Sequence, residues 1–431
     1  MSSSIFTIGT NGHLYMDGCD TVKLAREYGT PVYVMSERAV RQNCRTYKTA
    51  IDRFYHGNGL ILYASKALCI KEMVRLVKDE GLGIDVVSGG ELYTALAAGM
   101  PPEKICMHGN NKTEEELRRA LNANVGRIVV DNLYELEEIN RLASEENKVV
   151  RILFRVKPGI DAHTHDFIRT GQIDSKFGVA LETGEAEAFA LSASQMKHIE
   201  LAGVHCHIGS QIFDVEPFRE AAKVMTSFIG EMREKHGIVM NELNLGGGFG
   251  VKYTEEDDPI EFDRFIEAVS VVVKETAAKY QMDTPFIMME PGRSICGDAG
   301  ITLYTVGGMK NIPDIRTYIS VDGGMGDNPR YLIYQAKYEF LLANRAAETK
   351  TQTVTVAGKC CESGDLLAEH ISLPPVEVGD ILAVFTTGAY NYAMASNCNR
   401  IPRPPVVFVK DGKTRIAVHR ESFEDLIRND V

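Results

Sequence analysis

Eight short apolar runs, each followed by a charged stretch of helical length, constrain the fold of this chain more than any other feature. The alternation begins near residue 38 and continues to about residue 300. This rhythm predicts parallel strands joined by helices, and eight such repeats close a barrel. The eight strand candidates are LILYAS (60–65), IDVVS (84–88), KICMH (104–108), RIVVD (127–131), VRILFRV (150–156), LAGVHCHI (201–208), ELNLG (242–246) and PFIMME (285–290).

The segments between these runs carry helix signals. KEMVRLVKDEG (71–81) and PFREAAKVMTSFIGEMREKHG (217–237) have the periodicity of amphipathic helices. Thr113 is a candidate N-cap of TEEELRRAL, and Glu116 completes a capping box. We therefore predict an α/β fold with a (β/α)8 barrel over residues 38–300.

The two ends of the chain have a different sequence pattern. After residue 300, short strands punctuated by Gly and Pro, such as TQTVTVAG (351–358) and GDILAVFTTG (379–388), predict a C-terminal all-β domain, a β-sandwich or β-barrel, over residues 301–431. Residues 1–37 have strand candidates of their own, and we expect them to contribute to that domain.

Composition excludes several classes of protein. The 47 Lys and Arg against 59 Asp and Glu give a net charge of -12, which argues against a nucleic-acid surface. The N-terminus lacks the pattern of a secretory signal, and no segment has the length and apolar character of a membrane span, so we expect a cytoplasmic protein. The 9 cysteines are scattered without zinc-ligand spacing, so we expect neither a disulfide framework nor a metal site.

Polar residues, together with glycines and one proline, lie where the strand candidates end. Catalytic groups of such barrels lie at the carboxyl ends of the strands, so we expect these residues to converge on one mouth. They are Lys66, Asp85, Glu91, His108, Arg155, His205, His207, Gly246, Gly247, Gly248, Glu290, Pro291, Gly292 and Arg293.

This set of residues predicts a phosphorylated aldehyde cofactor. The glycines at 246–248 and the turn at 290–293 occupy the place where such barrels bind phosphate through backbone N–H groups. Lys66 is suited to a covalent bond with a carbonyl group. Glu290 can face a pyridine nitrogen and keep it protonated, which favours decarboxylation. Pyridoxal phosphate needs all three features.

Each of these residues also has an ordinary explanation when taken singly. Lys66 could be a surface lysine, the glycines could form a simple turn, and His207 could be a hydrogen-bonded core histidine. Glu290 and Arg293 could form a structural ion pair. Their concentration at one end of one predicted barrel favours the functional explanation.

With those residues assembled, nearly the whole chain resembles the fold-type III pyridoxal-phosphate decarboxylases, in the branch that acts on diaminopimelate. The motifs that carry the resemblance are YASKA (63–67), DVVSGGE (85–91), FRVKPG (154–159), DAHTHDFIRTGQIDSKFG (161–178), GVHCHIGSQ (203–211), NLGGGFG (244–250), EPGRSI (290–295), DGGMGDNPRYLIY (322–334), CESGD (361–365) and GAYNYAMASNCN (388–399).

The resemblance implies roles for individual residues. Lys66 would carry the cofactor, His207 would stack on its ring, and Glu290 would pair with the pyridine nitrogen. The further residues implied to bind pyridoxal phosphate are Asp85, Arg155, Ser210, Gly247, Gly248, Gly292, Arg293 and Tyr390.

The resemblance also implies a homodimer with shared active sites, in which the CESGD segment reaches in from the partner. Cys361 would then be the catalytic thiol that delivers a proton after carbon dioxide leaves, because a thiol stays protonated near neutral pH yet releases its proton readily. Cys360 stands beside it, so the identity of the donor is open; the spacing to Glu362 and Asp365 favours Cys361.

Substrate choice follows from charge. A substrate with a second amino-acid head needs a cation for its distal carboxylate as well as an acid for its amine. Arg293 and Arg330, with Tyr334 beside them, resemble such a clamp, Glu362 resembles the ligand of the distal amine, and Tyr390 would line the same pocket. The predicted reaction is decarboxylation of meso-2,6-diaminopimelate to L-lysine.

Three alternatives stay open on the sequence. The same scaffold could decarboxylate lysine or ornithine of either hand, or racemise an amino acid, or bind the cofactor without catalysis. Two further features are unassigned: Cys296 and Cys398 depart from the family pattern as packing changes, and the polar segment at 161–178 is a candidate lid.

Overall fold

The computed structural model describes residues 5–160 and 174–431. The candidate lid at 161–178 therefore lies mostly outside the described residues. The described chain divides into two compact units. The barrel unit comprises residues 43–250 and 258–294, and the β unit comprises residues 1–42, 251–257 and 295–431.

The barrel unit is a closed ring of eight parallel strands, so the predicted (β/α)8 barrel is confirmed. Each strand pairs with the next one along the chain, and the ring closes between the first strand and the eighth. The strands are β1 Gly59–Ala64, β2 Gly83–Val86, β3 Ile105–Met107, β4 Arg127–Val130, β5 Val150–Lys157, β6 Ile199–His205, β7 Glu242–Asn244 and β8 Phe286–Met289. A two-residue strand, Val179–Ala180, pairs with the end of β5.

Helices follow the strands as the amphipathic periods predict. The capping box at Thr113 is present: its hydroxyl accepts the Glu116 N–H, and the Glu116 carboxylate accepts the Thr113 N–H. The helices that lie wholly or partly within the barrel unit are Glu37–Tyr55, Lys71–Asp79, Gly89–Ala97, Glu114–Ala123, Leu133–Glu145, Glu185–Ser194, Glu216–His236, Phe262–Lys279 and the single turn Arg293–Cys296. In the part of the chain from 5 to 160 and from 174 onward, no helix is long and apolar enough to cross a bilayer.

The interior of the barrel is a packed layer of side chains. It is built from residues of six strands, one from each: Leu62, Cys106, Val129, Leu153, Ala202 and Met288. The amino-terminal rim of the barrel is closed by charge instead, because Arg127 makes two hydrogen bonds of 2.6 Å to Glu242 and Arg151 adds a third contact at 2.8 Å. We assign this ion group to stability, since chemistry in such barrels lies at the opposite rim.

The β unit has two sheets and a hydrophobic core of its own. Its many strands agree with the all-β pattern of the sequence after residue 300. Phe6–Ile8, Leu14–Met16 and Cys19–Asp20 form a three-stranded sheet. The nine-stranded sheet contains Val32–Ser36, Gly300–Ile312, Arg316–Val321, Phe340–Leu342, Gln352–Ala357, Leu366–Leu373, Ile381–Val384, Val406–Lys410 and Lys413–Val418. Its helices are Thr21–Tyr28, Arg330–Tyr334 and Phe423–Ile427.

The N-terminal segment takes part in the larger sheet of the β unit. Val32–Ser36 pairs with Gly300–Ile312 on one side and with Val406–Lys410 on the other. Leu303, Val34 and Val407, one from each of these strands, are fully buried in one hydrophobic core. Residues from both ends of the chain are therefore needed to complete this unit.

The barrel core predicts a specific loss of stability. Val129→Ala removes two methyl groups from a side chain that is 2% exposed, so the free energy of unfolding should fall by about 2 kcal/mol. Val239→Ala makes the same chemical change at a position that is 56% exposed and should change stability by less than about 0.5 kcal/mol. Urea unfolding followed by circular dichroism would measure both; equal losses would contradict a packed barrel interior.

Candidate active site

The carboxyl ends of β6, β7 and β8 meet in a cradle that only glycine can build. A Cβ on Gly247 would lie 2.1 Å from the carbonyl oxygen of Glu290, and one on Gly248 would lie 2.5 Å from that of Gly209. Gly248 also has φ of +118°, a backbone conformation that side chains rarely adopt. The cradle is held by the Glu290 N–H, which donates to the Gly246 carbonyl at 2.8 Å.

The turn after β8 lies against the end of β1. The Ala64 N–H donates to the Pro291 carbonyl at 3.1 Å, and a Cβ on Gly292 would come within 3.0 Å of Ala64. Arg293 Nη2 donates to Ser210 Oγ at 3.1 Å. The predicted phosphate-binding residues Ser210, Gly292 and Arg293 are thus brought to one place.

Lys66 follows β1 directly, in a single 3-10 turn at Ser65–Ala67. Its side chain is exposed between buried neighbours. The charge of Lys66 acts on two other predicted site residues: it opposes the rise that burial causes in the pKa of Asp85, and it adds to the fall that burial causes in the pKa of His207. The amine, the carboxylate and the imidazole therefore belong to one electrostatic group.

His207 lies against the glycine cradle as a neutral ring. Its Nδ1 accepts the Gly247 N–H at 3.3 Å. Burial holds the pKa of His207 well below its usual range, and the nearby charges of Lys66 and Arg155 lower it further. Arg155 stacks on Phe177, with 4.1 Å between the guanidinium carbon and the ring centroid.

Glu290 is a buried carboxylate held by partners from three other strands. Asn244 Nδ2 donates to Oε1 at 2.6 Å, His205 Nε2 lies 3.2 Å from Oε2, and His108 Nε2 lies 2.7 Å from Oε1. Burial alone would raise the pKa of Glu290, but His108 and His205 outweigh it and hold that pKa well below its usual range. Glu290 is therefore ionised at neutral pH.

The ionisable groups around Glu290 differ in their charge states. Burial disfavours a charge on His108, but Asp85 and Glu290 outweigh it and raise the pKa of His108 well above its usual range. Burial lowers the pKa of His205 to about 4, so this ring is neutral. Burial raises the pKa of Asp85 to about 6. One imidazolium thus faces two acids.

Cys106, His108 and Glu290 also form a group of possible metal ligands, with ligand atoms within 4.8 Å of one another. The sequence gives no sign of it, because the three residues come from β3 and the end of β8. Burial raises the pKa of the Cys106 thiol, and Glu290 and Asp85 oppose its ionisation further.

The predicted substrate-side residues lie in the β unit. Arg330 begins the helix Arg330–Tyr334 and is 7% exposed. Its guanidinium carbon lies 5.9 Å from the centroid of the Tyr334 ring. Tyr390 has φ of +62°, a conformation that costs a non-glycine residue energy and is common at functional sites.

The loop Gly358–Asp365 separates its two neighbouring cysteines. Asp365 accepts the N–H groups of Cys360 at 2.7 Å and Met325 at 2.6 Å, which ties the loop down. Cys360 is buried, and burial raises the pKa of its thiol to about 12. Cys361 is exposed, and its N–H donates to Asn399 Oδ1 at 2.7 Å.

Several residues at the barrel mouth, and others around Arg330 in the β unit, were not predicted from the sequence. His108 and His205 were noted only as strand ends, yet they set the charge of Glu290 together with Asn244. Tyr253 and Tyr338 hold the Arg330 guanidinium, with 3.1 and 2.7 Å between Nη1 and their hydroxyl oxygens. Asn244 could have been found from its place at the end of a strand, whereas the tyrosines carry no local signal.

Pyridoxal phosphate fits the residues present in the barrel unit. In the glycine cradle the Gly246 and Gly247 N–H groups donate to Asn244 Oδ1 and His207 Nδ1, whereas the Gly248 N–H has no acceptor among the described residues and can donate to a phosphate. Ser210 and Arg293 add side-chain donors beside it. Asp85 Oδ1 is fully buried and, within the described residues, accepts no hydrogen bond. A buried carboxylate oxygen without a donor is expected where a ligand supplies one.

Comparisons with known proteins agree with this fit. Residues 37–297 match the family described as pyridoxal-dependent decarboxylase, pyridoxal binding domain. The diaminopimelate decarboxylase of Bacillus subtilis is 51% identical over 98% of this chain and 96% of its own length. That of Staphylococcus aureus is 48% identical over 97% of this chain and 98% of its own.

Solved structures give the same result. The diaminopimelate decarboxylase of M. jannaschii, in complex with L-lysine, superposes with a TM-score of 0.92 at 35% identity, covering 99% of this chain and 98% of that one. The chain therefore belongs to the pyridoxal-dependent decarboxylases, and within them to the diaminopimelate decarboxylase family.

Proposed function

We propose that this chain uses pyridoxal phosphate to decarboxylate meso-2,6-diaminopimelate, giving L-lysine and carbon dioxide in the last step of lysine biosynthesis. The observation that carries the choice of substrate is Arg330, a buried guanidinium without an acidic partner among the described residues. A distal carboxylate would supply that partner. Membership of the diaminopimelate decarboxylase family supports the same substrate.

Pyridoxal phosphate, when bound, supplies the electron sink that stabilises negative charge on the carbon that loses carbon dioxide. The residues proposed to hold it are Lys66 at the aldehyde, Glu290 at the ring nitrogen and the 246–248 glycines with Ser210 and Arg293 at the phosphate. Because Glu290 is ionised, it can keep a proton on the ring nitrogen.

The remaining residues orient the substrate and move one proton. The neutral imidazole of His207 offers a flat face without a competing charge. Glu362 is exposed and can pair with the distal ammonium. Cys361 Sγ is proposed to hold the proton that is delivered to carbon after carbon dioxide leaves, because this thiol is accessible whereas the Cys360 thiol is buried.

We also propose that the working form is a homodimer in which CESGD residues of one copy act with the barrel of the other. Exposed apolar side chains support an interface, since Tyr93 and Tyr134 in the barrel unit are 64% and 73% exposed and Ile333 in the β unit is 47% exposed. Nine free cysteines support a reducing compartment, and we propose the cytoplasm.

Arg330→Ala tests the substrate. Release of carbon dioxide from meso-diaminopimelate should fall roughly 100-fold or more in kcat/KM, because a buried bidentate partner of the distal carboxylate is lost. Arg316→Ala is the matched control: it removes an arginine of the same unit that already pairs with Glu369 at 2.6 Å. An unchanged rate for Arg330→Ala, or faster turnover of L-lysine than of meso-diaminopimelate by the parent enzyme, would refute the proposal.

The two neighbouring cysteines give a second test. Cys361→Ala should lower kcat by about 100-fold or more, the usual contribution of a positioned proton donor, while Cys360→Ala should retain most activity. Stopped assays of carbon dioxide and L-lysine would measure both. If Cys360→Ala were the inactive variant, the assignment of the donor would be wrong.

Mixing two inactive variants tests the shared site. Lys66→Ala and Cys361→Ala, refolded or exchanged together, should recover about one quarter of the parent activity, because half of the random dimers contain one intact site of two. Each variant mixed with itself is the control. No recovery, despite mixed dimers shown by native mass spectrometry, would mean that each site is built from one chain.

A further inference from the structure

Arg330 is a buried cation whose charge is left uncompensated. Among residues 5–160 and 174–431 it forms no ion pair, whereas Arg345 of the same unit pairs with Asp380. Removing a charge from water without a partner is costly. The position of Arg330 is therefore held by groups other than an acid.

Two tyrosine hydroxyls hold this guanidinium at one corner. Arg330 Nη1 donates to Tyr253 Oη at 3.1 Å and to Tyr338 Oη at 2.7 Å. The guanidinium carbon lies 5.1 Å from the Tyr253 ring centroid and 5.7 Å from that of Tyr338. These distances allow attraction between the cation and the ring faces, which offsets part of the desolvation cost.

The two tyrosine rings brace each other. Their rings meet edge to face, with 5.4 Å between centroids and an interplanar angle of 80°. Burial raises the pKa of Tyr338 to about 12, although Arg330 opposes the shift. The hydroxyls therefore orient the guanidinium without neutralising it.

The direction of the unused edge follows from the shape of the guanidinium. Its N–H groups are fixed in one plane, so two bonds to Nη1 determine where Nε and Nη2 point. Neither of these atoms makes a hydrogen bond within the described residues. The Nε and Nη2 edge presents two parallel N–H groups, which match the two oxygens of a carboxylate.

A hydrogen-bond relay connects this group to a predicted cofactor-binding segment. Tyr338 Oη donates to Asn391 Oδ1 at 3.4 Å. Asn391 is fully buried, and its Nδ2 has no partner in the described part of the chain. It directly follows Tyr390, so the orientation of Tyr338 is tied to a segment of the proposed active site.

We propose that Tyr253 and Tyr338 are positioning residues that aim the free edge of Arg330 at the distal carboxylate and so set the selectivity for an amino-acid head. This inference rests on the proposed function. The tyrosines act through Arg330 and contact no reacting atom.

Two ligands that differ by one carboxylate provide the test. L-lysine carries the amino-acid head, and cadaverine (1,5-diaminopentane) is the same chain without the carboxylate. Dissociation constants of both for the holoenzyme are measured from the change in cofactor absorbance. Tyr253→Phe and Tyr338→Phe should each weaken L-lysine about tenfold and leave cadaverine within about twofold; the double variant should approach Arg330→Ala. KM for meso-diaminopimelate should rise more than kcat falls.

Tyr331→Phe is the matched control. Tyr331 lies in the same short helix, but its hydroxyl donates to Glu369 at 2.7 Å, so both dissociation constants should match the parent. Arg330→Lys is a second variant: it keeps the charge and loses the two-pronged edge, and it should weaken L-lysine as strongly as the tyrosine variants do.

The outcomes separate this inference from the proposed function. If Arg330→Ala abolishes the preference for L-lysine over cadaverine and the phenylalanine variants leave it intact, the tyrosines do not position the clamp. Equal weakening of both ligands would indicate a general structural role and also overturn the inference, as would full retention of the preference in Arg330→Lys. If Arg330→Ala itself leaves the preference unchanged, the proposed substrate clamp fails first.

Discussion

The ionised carboxylate of Glu290, enclosed in the barrel, is the feature on which the mouth of the barrel depends. A carboxylate removed from water is stable only where other groups donate to it. Its partners Asn244, His205 and His108 come from β7, β6 and β3. β6 and β7 lie next to β8 in the ring, whereas β3 is three strands away from it, so the contact of Glu290 with His108 depends on the curvature of the barrel.

The two rims of the barrel show how the same fold separates stability from chemistry. At the amino-terminal rim, Glu242 accepts hydrogen bonds from Arg127 and lies in contact with Arg151. At the carboxyl rim, Asp85 keeps a buried oxygen that accepts no hydrogen bond from any described residue. The Glu242 carboxylate thus has two cationic partners, whereas the Asp85 oxygen without a donor carries a cost that a ligand can relieve.

The sequence predicts the barrel well because buried parallel strands are continuous apolar runs and the helices between them have a separate period. Observed strands differ from the candidates mainly at their carboxyl ends: the sixth candidate runs to residue 208, but β6 ends at His205. Those extra residues include the candidate site residues, and they take no part in the pairing between strands. The residues that end strands were therefore predictable, as Lys66 and Glu290 illustrate.

The contacts that shape the β unit were not predictable in the same way. Arg330 meets Tyr253 across 77 residues of sequence and Tyr338 across 8, and no local pattern encodes either pairing. The two neighbouring thiols show the same limit. The spacing to Glu362 and Asp365 favours Cys361 as the proton donor, but no local pattern encodes which of the two thiols is buried.

That choice is made by Asp365, which accepts the Cys360 N–H and fixes the loop with the Cys360 side chain inward. This difference in burial bears on the identity of the proposed proton donor. Burial raises the pKa of the Cys360 thiol to about 12, whereas Cys361 is exposed. A backbone hydrogen bond to a carboxylate four residues beyond Cys361 therefore distinguishes two chemically identical side chains, and it does so before any substrate is bound.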